Sequence, residues 1–223
     1  MNAVWIPFAL SLKVAGWATL LNLLFGVAIA YVLARWRSSA RDLVDAILTL
    51  PLVLPPTVLG YYLLVVVGRR GVVGEWLEKW GIALVFTWQG AVIAATIVAF
   101  PMVLKSARAA FEDVDPKLEN AARVLGISET AVFFRVTLPL ASKGISAGVL
   151  LAFARALGEF GATLMIAGNL PGRTQTLSVA IYEAVQAGDD NTTNLLVLIT
   201  SVTCVALLLI AGRLVPKSQR RRY

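Results

Sequence analysis

The chain contains no histidine and a single cysteine, Cys204. Without histidine there is no imidazole metal site, no Ser-His-Asp triad and no Cys-His pair. A lone cysteine, here inside an apolar run, cannot close an intramolecular disulfide. Charge is scarce too: 15% of residues are Asp, Glu, Lys or Arg, where soluble domains carry about a quarter. No GxxxxGKS/T loop, no GxGxxG turn and no CxxC pair occurs. The sequence therefore holds nothing built to cradle a nucleotide phosphate or to clasp zinc. Internal repeats and low-complexity stretches are also missing, and with them the paired halves typical of many secondary carriers.

What is abundant is apolar. The 223 residues are 58% hydrophobic, with a mean hydropathy of +0.78, an excess that needs lipid as its solvent. A spanning helix takes roughly 20 mainly apolar residues to cross about 30 Å of hydrocarbon. Runs at 8–34, 43–67, 82–104 and 194–214 meet that length, and so does 144–167, which carries Arg155 and Glu159. The stretch 174–187 is short and holds Glu183, which suits a re-entrant or interfacial helix. Five spans are predicted, with the sixth segment left open, in an all-α polytopic bundle. The N-terminus lacks a basic region, and its apolar run is too long for a signal peptide, so the first span is read as retained.

The net charge of +7 would suggest nucleic acid as partner in a soluble protein. Its distribution points to membrane topology instead. Arg35, Arg37 and Arg41, six Lys/Arg between 105 and 143, and Arg213, Lys217, Arg220, Arg221 and Arg222 make fourteen on one side. Arg69, Arg70, Lys79 and Arg173 make four on the other. Cytoplasmic loops collect Lys and Arg, so the N-terminus is predicted outside and the C-terminus in the cytoplasm. Lys13, near the outer end of the first span, can snorkel.

Proline interrupts the second span at Pro51, Pro55 and Pro56. It removes a backbone donor and clashes with the preceding turn. In a membrane such a break survives where protein or a water-filled cavity satisfies the freed carbonyls. A packing kink and a helix lining a pathway both fit.

The connection 105–143 is long for a link between membrane helices. Asp115 suits an N-cap and Pro116 the first helical position. Leu118, Ala121, Ala122 and Leu125 then fall on one face, and Gly126 suits the left-handed residue that ends a helix. Ser128 can cap a second helix, predicted to end at Leu138–Pro139. A short capped helix with an Ala/Leu face suits either docking into a groove on another protein or lying at the bilayer interface.

The string Glu119-Asn120-Ala121-Ala122-Arg123-Val124-Leu125-Gly126, with Leu138-Pro139 at its spacing from Gly126, resembles the coupling motif of ABC importer permeases. Alignment on Ala121, Ala122 and Gly126 puts Asn120, not Glu119, where that family has its glutamate. Further stretches, 50–60, Gly68-Arg69-Arg70-Gly71 and 153–162, are similar to molybdate permeases, and the resemblance runs from about residue 11 to 213. It implies a single permease domain, 1–223, of the type I importer fold in a bacterial-type inner membrane, with a cytoplasmic coupling helix. It also implies a homodimer, two ATPase subunits beneath it that bind ATP and Mg, and a periplasmic oxyanion-binding protein above. No cofactor is then held by this chain, and it is no enzyme itself. Leu118, Glu119, Asn120, Ala121, Ala122, Arg123, Gly126, Leu138 and Pro139 are the coupling candidates. Molybdate is the cargo the resemblance indicates. Tungstate and sulfate or thiosulfate are alternatives, and a stand-alone anion carrier is the rival class.

Arg155 and Glu159 stand at i, i+4, within ion-pair reach on a helix. A lone charge at mid-bilayer costs roughly 2.5–3.5 kcal/mol, so the two are predicted to face the bundle interior together. Gly158 and Gly161 would let another helix approach. Three roles fit the pair: a structural brace, a relay near the cytoplasmic end, or an anion contact through Arg155. Pro55, Pro56, Thr57 and Thr163 complete the pathway candidates, although such threonines also back-bond to their own helix.

Overall fold

The computed structural model describes residues 2–214. Lys217, Arg220, Arg221 and Arg222 lie outside the described residues. Helix α1 runs Val4–Arg35, with a π-helical turn at Asn22–Gly26. Helix α2 (Ala40–Thr49) ends in a 3-10 turn, Leu50–Leu52, and α3 (Pro56–Val67) leaves it at 109°. Helix α4 is Val72–Glu78 and α5 is Trp88–Glu112. Helix α6 (Pro116–Val124) precedes α7 (Glu129–Leu157), which contains a π-helical turn at Phe133–Thr137. Helices α8 (Gly161–Ala167), α9 (Leu177–Gln186) and α10 (Asp190–Leu214) follow. No strand occurs among the described residues.

Helices α1, α5, α7 and α10 are long and apolar enough to cross a bilayer, and the bent α2/α3 pair, taken as one broken span, makes five. The prediction of five spans therefore stands, but several boundaries move. The second span is two helices, because Pro55 and Pro56 cannot continue the hydrogen-bond ladder. The third begins at Trp88 rather than 82, where the Thr87 hydroxyl accepts the Gly90 N–H. The 144–167 run does not form one helix. Helix α7 starts at Glu129, stops at Leu157, and α8 resumes at Gly161. Leu138–Pro139 does not end the second loop helix, since α7 passes through both, with the π turn directly before them. The 174–187 segment is the ten-residue α9, about 15 Å long and too short to cross.

The centre of the bundle is α5. Its buried stripe is rich in small residues, including Ala91, Ala94, Ala95, Ala99 and Ala107. Helix α7 presses closely against it. A Cβ on Gly144 would come within 2.7 Å of Ala110, and one on Gly148 within 2.4 Å of Ser106. In lipid, where tails are as apolar as leucine, such close backbone packing replaces the hydrophobic drive between helices. Large apolar side chains such as Leu24, Val202, Leu208 and Leu209 point outward.

Candidate functional site

Helix α6 begins as the sequence suggests. Asp115 accepts the Lys117 N–H at 2.9 Å, Pro116 takes the first position, and Gly126 closes the helix at φ 79°. Ser128 sits at the next N-cap but makes no capping hydrogen bond with its side chain.

The faces of α6 differ from the expected ones. Ala122 is turned inward, 7% exposed, whereas Leu118, Ala121 and Leu125 are exposed, Leu125 at 79%. Ala122 thus packs within the chain and is not part of the outward apolar patch. Helical pattern alone grouped the four residues, and the π turn of α7 beneath α6 decides which of them it covers. Leu138 is half-buried and Pro139 exposed.

Glu119 is the buried anchor of α6, at 2% exposure. Arg35, the last residue of α1, donates to both carboxylate oxygens, one bond measuring 2.8 Å. The Thr137 hydroxyl, presented by the π turn of α7, donates to the same carboxylate at 2.6 Å. Hydrogen bonding by the Arg35 guanidinium, opposed by burial and assisted by Thr137, holds the Glu119 carboxyl below its ordinary range. Asn120 points the other way and accepts from Arg123 at 2.8 Å, while Arg123 also grips Glu129 at 2.6 Å. The motif's glutamate position is thus an outward amide, and the neighbouring glutamate ties three elements together. A cavity of about 400 Å3, lined in part by Arg35, Arg37, Glu112, Asn120 and Arg123, lies beside this joint. Asp45 of α2 binds α5 nearby, meeting Arg108 at 2.7 Å and also Lys105. Neither Arg35 nor Thr137 was legible as a partner of Glu119, because they lie 84 and 18 residues away in sequence.

The second site surrounds the break in the second span. Arg155 meets Glu159 at 2.8 Å, as predicted, but the two do not share a helix: Glu159 lies past the end of α7. Its other oxygen accepts the Ala162 N–H at 2.8 Å, so the carboxylate also caps α8. Helix α8 lies along α3. A Cβ on Gly161 would approach Pro56 to 2.9 Å, and one on Gly60 would approach Met165 to 2.6 Å. Gly158, by contrast, has no helix against it. At its far end α8 accepts the Phe86 N–H through Ile166 at 2.9 Å.

From Pro56 to Val67, α3 covers about 18 Å, so the break lies near mid-depth. The pair sits at that level, because Gly161, two residues past Glu159, packs on Pro56. Pro55, Pro56 and Thr57 are exposed on the chain's surface. Thr163 is buried within the chain and lines no open surface of it.

Helix α6 and the bent second span lie within a match to the family of binding-protein-dependent transport system inner membrane components, over residues 22–222. The chain belongs to this family. Molybdenum transport system permease protein ModB of Escherichia coli (strain K12) is 46% identical over 208 residues, covering 92% of this chain and 91% of the relative. Sulfate transport system permease protein CysT of the same strain is 38% identical over 172 residues, covering 77% of this chain and 62% of the relative. Among solved structures, a bacterial alginate ABC transporter in complex with alginate pentasaccharide-bound periplasmic protein matches with a TM-score of 0.72 at 18% identity, covering 93% of this chain and 76% of that one. The fold is that of an ABC importer permease. The chain is thus an inner-membrane, multi-pass transport subunit rather than an enzyme, of a kind that works with an ATPase and a binding protein.

Proposed function

We propose that this chain is the permease of a molybdate ABC importer. Two copies form the pathway between them, two ATPase subunits hold ATP and Mg beneath, and a periplasmic oxyanion-binding protein delivers cargo from above. The observation that carries the reading is the 46% identity to a molybdenum permease across 92% of the chain, together with a coupling helix whose exposed face has no cover within the chain. Orientation follows from charge. Arg35, Arg37 and α6 gather at one end, which the positive-inside rule assigns to the cytoplasm, leaving the N-terminus outside.

In this reading Leu118, Ala121 and Leu125 enter a groove on the ATPase. ATP binding closes the ATPases and shifts α6. The Glu119 joint passes the movement to α1 and α7. Helix α7 carries α8, and α8 carries α3, so the Pro-broken span follows as part of alternating access. Pro55, Pro56 and Thr57 then face the pathway between the two copies. Glu159 keeps Arg155 from holding an anion tightly, which suits a pathway that must release its cargo.

The test is ATP-dependent uptake of radiolabelled molybdate into vesicles bearing the chain, its ATPase and its binding protein. Tungstate and sulfate are added as competitors. Uptake that needs ATP and resists equimolar sulfate is the expected result. Complete competition by sulfate moves the assignment to sulfate, and uptake without the ATPase overturns the importer. Leu125→Asp should reduce recovery of the ATPase in pull-downs, since it places a charge in the docking face.

A further inference from the structure

Lys13 is a cation without a carboxylate. No Asp or Glu occurs in residues 1–41, nor between Glu78 and Glu112, so neither α1 near Lys13 nor the facing part of α5 offers one. No ion pair to Lys13 is present among the described residues. The ammonium lies 3.6 Å from the ring centroid of Trp88, the first residue of α5, which fixes its position through the ring quadrupole.

Depth follows from helix geometry. Arg35, bound to Glu119, marks one water interface. Lys13 stands 22 residues earlier on the same continuous helix, about 33 Å away at 1.5 Å per residue. That is about the thickness of the hydrocarbon layer, so Lys13 sits at headgroup level in the opposite leaflet. Trp17 and Trp88 beside it are residue types that gather at this level. Two grooves run on either side of Trp17, one of about 300 Å3 over Leu12, Lys13, Gly16 and Leu20. The other, of about 240 Å3, is lined by Trp88, Gln89, Val92 and Ile93 as well. At Gly16 a Cβ would meet nothing within 4 Å, so that groove is open.

We infer that this surface binds the headgroup of an anionic phospholipid. The phosphate pairs with the Lys13 ammonium, the Gln89 amide and the Trp17 indole N–H are within the same patch as further donors, and acyl chains lie in the two grooves. A cation at the lipid interface with no carboxylate of its own is complemented by the charge that bilayer lipids carry. The inference does not depend on the transported ion or on which leaflet is the outer one.

The test is native mass spectrometry of the full-length chain released from micelles containing phosphatidylglycerol and phosphatidylcholine in equal amounts. One basic residue at an anionic surface gives a preference of about fivefold. The wild-type chain should therefore retain one more phosphatidylglycerol than Lys13→Gln, while Lys13→Arg should keep it. Equal retention by wild type and Lys13→Gln overturns the site. Displacement of the lipid by an equal concentration of soluble glycerophosphate also overturns it, because the grooves would then contribute nothing.

Discussion

The α6 end of the bundle and the mid-membrane break are held by different forces. At the α6 end, charges do the joining: Arg35 and Thr137 on Glu119, Lys105 and Arg108 on Asp45, Arg41 on Glu112, and Arg123 on Glu129. At the break there is one ion pair, Arg155–Glu159, and the rest is close packing of Gly60, Gly161, Pro56, Ala162 and Met165. Water explains the contrast. At the α6 end the outer ions, and the half-exposed Arg35, can exchange a partner for solvent, so those contacts are worth little alone and the joint can shift. Within lipid an unpaired charge has no such alternative, and small residues give a close fit with no polar group left over. The comparison therefore assigns α3 and α8 to one rigid body and the Glu119 joint to an adjustable hinge.

The strongest attack on that comparison is Glu159→Ala. It leaves Arg155 uncompensated at mid-depth, at a cost of about 2.5–3.5 kcal/mol, and takes the cap from Ala162. Folded yield after solubilisation and the Tm should both fall. Replacing Arg155 and Glu159 together by methionine should recover most of the loss, since buried pairs are often replaceable by apolar residues of similar volume. A double variant as poor as Glu159→Ala would assign the role to the α8 cap and not to the pair.

Next comes Gly60→Ala. The new Cβ would lie 2.6 Å from the Met165 Cβ and 3.1 Å from the Ala162 Cα, so backbone must move as well as side chain. Overpacking of this kind costs about 1–3 kcal/mol. Uptake should fall more than ATPase binding, because α3 shifts and α6 does not. Equal losses would mean that α3 and α6 are not separate bodies.

The sequence makes the contrast only half visible. The capped helix α6 was readable because Asp115, Pro116 and Gly126 act locally, within one helix. The Arg155–Glu159 contact was readable from its spacing, yet its helix was not, since apolar length alone runs straight through Gly158–Phe160. The second span carried its break openly in Pro55 and Pro56, but nothing in it announced α8 as the partner. Such packing depends on Gly60 meeting Met165 and Gly161 meeting Pro56, each across about a hundred residues. Arg35 was counted for topology, and its grip on Glu119 joins residues that only the fold brings together.

Glu119→Gln tests the hinge. It exchanges charge-assisted hydrogen bonds, worth about 1.5–3 kcal/mol each, for neutral ones, and the half-exposed Arg35 recovers part of that from water. A loss near the low end is expected, with ATPase still bound and transport weakened. The pH dependence has a definite sign. The folded-state carboxyl titrates below its ordinary value of 4.5, so its contribution is whole above that value and disappears as pH falls through the lowered one. Thermal melts of wild type and Glu119→Gln should differ at neutral pH and converge in acid. A difference that persists unchanged below the carboxylate range would assign the effect to packing.

Gly126→Ala should have the smallest effect, and it isolates what Gly60→Ala does not. At Gly126 a Cβ would meet nothing within 4 Å, but φ is +79°, a conformation that side chains with a Cβ adopt at a cost of about 1 kcal/mol. At Gly60 the backbone is ordinary helix and only space is lacking. One substitution thus strains conformation in water, where the end of α6 can unwind by a residue and rehydrate. The other strains packing in lipid, where no such escape exists. Gly126→Ala should leave the Tm within a degree or two, the shift expected from local fraying rather than global unfolding, and weaken ATPase recovery slightly. A Tm loss as large as that of Gly60→Ala would show that the end of α6 is as rigidly held as the bend, and the division into hinge and rigid body would fail.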